Sequence, residues 1–88
     1  MNLNNIFDNA KKGQKYSIEF NHPFGNDCKS EVFVKSISES KKYNVKKVKL
    51  CFLDRPDSCP IFLYKRSDNK IYPAFGDMPT KIKLMELI

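Results

Sequence analysis

The side chains with the most chemical potential in this 88-residue chain are one histidine, three cysteines and a concentration of lysines among tyrosines and apolar residues. His22, Cys28, Cys51 and Cys59 are all of zinc-ligating type. Their spacings, His22-x5-Cys28 and Cys51-x7-Cys59, are wider than the roughly two to four intervening residues of structural zinc sites. Cys51 also falls in an apolar stretch, where a buried thiol needs no metal to explain it. His22 and Cys28 would make a nucleophile–base pair only with a third group to orient the imidazole, and none is identifiable. Asp54, Asp57, Asp68 and Asp77 sit among turn formers, where local side-chain hydrogen bonding accounts for them. Gly13, Gly25 and Gly76 are isolated and cradle no phosphate. No acid–base or nucleophile set assembles, so the expectation is a non-enzymatic protein with no metal or cofactor.

The lysines carry a stronger signal. Sixteen Lys+Arg against ten Asp+Glu give a net charge of +6. Residues 1–34 and 50–88 contribute 0 and +1, whereas residues 35–49 contribute +5, with six lysines against Glu39 alone. These are Lys35, Lys41, Lys42, Lys46, Lys47 and Lys49. A concentrated segment makes a local positive field that evenly spread charge does not.

In Lys47-Val48-Lys49-Leu50 and in Lys81-Ile82-Lys83-Leu84, lysine alternates with an apolar residue. On a strand, each such pair projects from one face at a separation of about 7 Å. If the two strands were neighbours, four lysines would share that face. Tyr43, at the start of the basic segment, and Tyr64 or Tyr72 beyond it are candidate platforms for base stacking. The expected function is a small binding protein whose basic sheet face contacts RNA or single-stranded DNA through phosphates. Fourteen of the sixteen basic residues are lysine, which suits backbone contact better than bidentate base recognition.

Two other readings compete. The lysines also suit a plain solvated sheet face that guards against edge-to-edge aggregation. Alternatively, the protein is an inhibitor or accessory factor that docks an acidic partner surface or occupies a partner's nucleic-acid groove. Phe24 and Phe75, beside prolines and glycines in expected loops, are the candidate anchors for a protein partner.

These groups must be positioned by one domain, because 88 residues leave no room for two. Leu3, Ile6, Phe7 and Ala10 recur at helical spacing and predict an opening helix over residues 2–13, capped by Asn2 and stopped at Gly13. The period then becomes twofold. Strands are expected over 16–20, 30–37, 43–53, 60–66, 70–72 and 80–87, with an irregular loop over 73–79. Val45 breaks the alternation of Val48, Leu50 and Phe52, so a bulge near Lys46 and Lys47, or else a helix starting near Ser40, is needed there. The expected class is α+β: an N-terminal helix followed by a curved, mainly antiparallel sheet or small barrel of five or six strands.

Met1–Asp8 does not read as a secretory signal, and no stretch reaches the roughly 18 apolar residues that span a bilayer. An odd number of cysteines, three, argues against a secreted disulfide framework, although a Cys51–Cys59 bridge is sterically conceivable. A cytoplasmic protein with reduced thiols and no membrane contact is expected. A homodimer through a strand edge or through Leu84–Ile88 is a further expectation.

Overall fold

The computed structural model describes residues 3–22 and 24–88; the expected Asn2 cap and Pro23 lie outside them. A short helix, α1 (Leu3–Asp8), precedes seven strands. These are β1 (Lys15–Asn21), β2 (Asp27–Ser40), β3 (Val45–Phe52), β4 (Ile61–Lys65), β5 (Ile71–Phe75), β6 (Met78–Pro79) and β7 (Ile82–Leu87). They form one antiparallel sheet in the order β6-β5-β4-β3-β2-β1-β7, curled into a half-barrel. The α+β class stands, with seven strands in place of five or six.

The extra strand comes from residues 73–79, expected to be irregular. β5 runs on through Pro73 to Phe75, turns at Gly76 (φ 58°) and returns as β6. Pro73 is tolerated because the backbone N and C=O of one antiparallel residue face the same side. Its carbonyl accepts from the Thr80 N–H, so the missing N–H faces away from β4 and breaks no ladder bond there.

The helix ends five residues before Gly13, at Asp8. The Asn9 side-chain amide donates to the Asn5 carbonyl and to Asn5 Oδ1, and the chain then turns through Lys11–Gln14 into β1. A helix of six residues is unstable alone, so packing must hold it. Phe7 supplies that packing, being 1% exposed, with Leu3 and Ile6 against the same core.

The concave face is filled by Tyr16, Ile18, Phe20, Val32, Val34, Val48, Leu50, Phe52, Ile61, Leu63, Ile82 and Met85. Burying a side chain such as Leu50 contributes about 1.5–3 kcal/mol. Near the link between β6 and β7, the sheet's two flanks meet: Phe20 and Phe75 stack with centroids 5.7 Å apart. Thr80 bridges the same flanks, donating its N–H to Pro73 and its hydroxyl to the Asn21 carbonyl. At the other end, α1 closes the mouth, with Lys65 donating to Asp8 at 2.8 Å.

Within residues 43–53, Val45–Phe52 is strand rather than helix, and the bulge lies elsewhere than expected. It falls in β2 between Val34 and Ser36, where Lys35 is the extra residue. An extra residue there restores alternation on β2, so Ile37 pairs with Val48 on the concave side. β3 itself is regular, and Val45 therefore stays on the convex side opposite Ser40.

Candidate functional site

The convex face divides into two chemically distinct halves. Over β1, β2 and β7 the outward positions mix signs: Glu19 pairs with Lys29 in register, and Lys83 donates to Asp27 at 2.5 Å. The aspartate, with a smaller contribution from Glu19, raises the Lys83 pKa above its ordinary value. This half neutralises itself.

Over β3, β4 and β5 the outward positions are Val45, Lys47, Lys49, Cys51, Phe62, Tyr64, Tyr72 and Ala74, with no carboxylate among them. Register lays them out in rows. Ser38, Lys47, Tyr64 and Tyr72 lie side by side on four adjacent strands. Ser36, Lys49, Phe62 and Ala74 form the next row. Strands about 4.8 Å apart make each row roughly 14 Å long.

Contacts within this face hold its side chains in place. Phe62 and Tyr64 share one face of β4 with ring centroids 5.8 Å apart. Lys47 Nζ lies 5.2 Å from the Phe62 ring centre, and the Arg66 guanidinium lies 4.6 Å from that of Tyr72. Tyr72 donates its hydroxyl to Asp68 Oδ2 at 2.5 Å. That bond and the Lys70 N–H hold the Asp68 carboxyl below the ordinary carboxylate range, and the bond pushes the Tyr72 phenol up.

The β2–β3 hairpin end rises beside these rows and makes a cleft of about 420 Å³. It is lined by Ser38, Glu39, Ser40, Tyr43, Val45, Lys47, Tyr64 and Arg66. Tyr43, on the turn, is 69% exposed, with Lys42 Nζ 5.3 Å from its ring centre.

The residues singled out from sequence are thus partly gathered. Lys42, Tyr43, Lys47 and Lys49 border the convex aromatic face, Lys41 sits on the same turn, and Lys35 stands exposed on the bulge beside Lys49. Lys46 goes to the other side: it pairs with Glu39 and lies 5.6 Å from the Phe7 ring centre at the mouth of the half-barrel. Lys81 and Lys83 belong to the far flank. β7 is separated from β3 by β1 and β2, so the four lysines of the two Lys-x-Lys pairs form no cluster.

Phe24 is 82% exposed, whereas Phe75 is partly buried, its ring against those of Phe20, His22 and Phe52. Phe62, Arg66, Val45, Ser38 and Ser40 join the site unforeseen. The alternation Ile61-Phe62-Leu63-Tyr64 contained Phe62, but a strand apolar at every position hides which face is outer.

Cys28, Cys51 and Cys59 are free thiols. Among the described residues, no group of three or more His, Cys, Asp or Glu converges to hold a metal, and no helix is long and apolar enough to cross a membrane. No protein-family model, curated protein or solved structure matches the chain. The functional reading therefore rests on this geometry.

Proposed function

We propose that the protein binds single-stranded nucleic acid, RNA or DNA, across the convex face of β3, β4 and β5, and catalyses no reaction. One observation carries this reading: lysines and aromatic rings lie in adjacent cross-strand positions on a face without a carboxylate at any outward strand position. Phosphates attract the cations, and unpaired bases have free π-faces for the rings. Duplex nucleic acid offers the phosphates but hides the bases. Lys47 and Lys49 have no pairing with an acidic side chain across either neighbouring strand, unlike Lys29.

Fluorescence anisotropy with a labelled U-rich oligonucleotide at low salt tests the reading. Salt-sensitive binding, weaker for duplex of the same length and weakened by Tyr64→Ala, is the expected result. Absence of binding at low salt overturns it. The alternative, docking to an acidic protein surface, draws on the same charge and on the exposed Phe24. A partner protein retained in a pull-down after nuclease treatment would favour that alternative.

A further inference from the structure

Resting on the single-strand reading, we infer that the cleft at the β2–β3 hairpin end is a discrete pocket for one nucleotide, taking its base against Tyr43 and Tyr64 and its phosphate against Lys47 and Arg66. The convex face has a second depression of similar volume, about 410 Å³, lined by Phe33, Lys35, Lys49 and Asp57 among others, but only this corner brings tyrosines and an arginine together. Its volume of about 420 Å³ falls within the range of small-ligand sites, roughly 300–1,000 Å³. Its lining also divides by chemistry. Tyr43, Tyr64 and Val45 supply aromatic and apolar surface, while Lys47, Arg66 and the hydroxyls of Ser38 and Ser40 supply anion-binding donors, against the single carboxylate of Glu39. A base joined to a phosphate carries both complementary parts, and neither a bare anion nor an apolar side chain does.

Arg66, like Lys42 and Lys47, lies over a ring, but its ring is itself held by a hydrogen bond. Its guanidinium lies over the Tyr72 ring, and Tyr72 is fixed by its hydrogen bond to Asp68. A planar guanidinium held by its face keeps its edge N–H groups free for phosphate oxygens. Tyr72 and Asp68 do not line the cleft, so they act as positioning residues for Arg66.

The test is an NMR titration of the whole chain with adenosine 5′-monophosphate, adenosine and ribose 5-phosphate. The nucleotide is expected to bind about tenfold tighter than either fragment. Amide shifts are expected to centre on Ser38, Val45, Tyr64 and Arg66. Tyr64→Ala should lower nucleotide affinity by about fivefold or more, and Tyr43→Ala, on an exposed turn, provides the same readout without threatening the core.

Arg66→Gln should bring the nucleotide close to adenosine. Tyr72→Ala should reproduce that loss but add little to it in the double variant, since both changes act through one group. Tyr72→Phe keeps the ring but loses the Asp68 hydrogen bond, and should give an affinity between those of the native protein and Tyr72→Ala. If the nucleotide binds no better than ribose 5-phosphate, or shifts spread evenly over Phe62 and Ala74, the pocket is refuted even where oligonucleotides still bind. If oligonucleotides also fail to bind, the single-strand reading falls with it.

Discussion

Replacing Lys47 and Lys49 together by glutamine should halve the salt dependence of oligonucleotide binding. Both lie on the convex side of β3, two residues apart, with Tyr64 and Phe62 as their cross-strand partners on β4. With Lys42 and Arg66 they make four cations bordering the same face. Each phosphate neutralised on a single strand contributes about −0.7 to the slope of log K against log salt. Four contacts therefore give a slope of about −2.8, and the double variant about −1.4. Between about 50 and 200 mM salt, the native protein should lose roughly 50-fold in affinity and the variant roughly 7-fold.

Lys47 also stacks near Phe62, so the variant should lose at most about 0.5–1 kcal/mol of stability at that contact, which urea denaturation will register. Lys83→Gln is the matched control, because Lys83 is engaged with Asp27 on the other flank and should leave the slope unchanged. Anisotropy over a salt series reads both variants. An unaltered slope in the double variant, or a fall of that size in Lys83→Gln, would refute the assignment of the site to β3–β5.

Leu50→Ala removes a side chain with 0% exposure from the centre of the sheet and should cost about 2–5 kcal/mol in urea or thermal unfolding. The Asp68 carboxyl should titrate below the ordinary range by carbon-detected NMR and move back toward it in Tyr72→Phe, since the Tyr72 hydroxyl is the largest cause of the shift. A lowered carboxyl pKa means the contact's stabilisation is fully present above the unfolded value, about 3.9, and is lost as pH falls through the lowered value. An unchanged Asp68 titration in Tyr72→Phe would contradict the bond. Toward a thiol reagent, exposed Cys59 should react rapidly and Cys51, 4% exposed, only on unfolding; fast reaction of all three would mean that the segment over Cys51 opens freely.

Alternation made the interior strands legible. Tyr16, Ile18 and Phe20, and then Val48, Leu50 and Phe52, project inward as their period requires. What period could not show was decided by tertiary contacts. β2 extends beyond the apolar core of residues 30–37 because Asp27–Lys29 and Ser38–Ser40 pair with β1 and β3. Pro73 suggested a loop, yet its missing N–H faces away from β4, on the side of Thr80, so β5 accommodates it.

Cys51 has outward parity but is buried, because the segment after β3 folds back and places Pro56–Ser58 and Pro60 beside it. The +5 charge of residues 35–49 was visible as a number, but the bulge at Lys35 and the parity of Lys46 determine which cations share a face. Strand order is the deepest limit. Two Lys-x-Lys pairs look equivalent in sequence, and only the β1 and β2 strands between them assign one to the candidate site and the other to a self-neutralised flank.

Binding across β3, β4 and β5 is read out by an amide-shift map recorded with a short U-rich oligonucleotide at low salt. Perturbations are predicted at Val45, Lys47, Lys49, Phe62, Tyr64 and Tyr72, with Glu19, Lys29 and Lys83 unmoved. Shifts concentrated on β1 and β7, or none at saturating oligonucleotide, would contradict it.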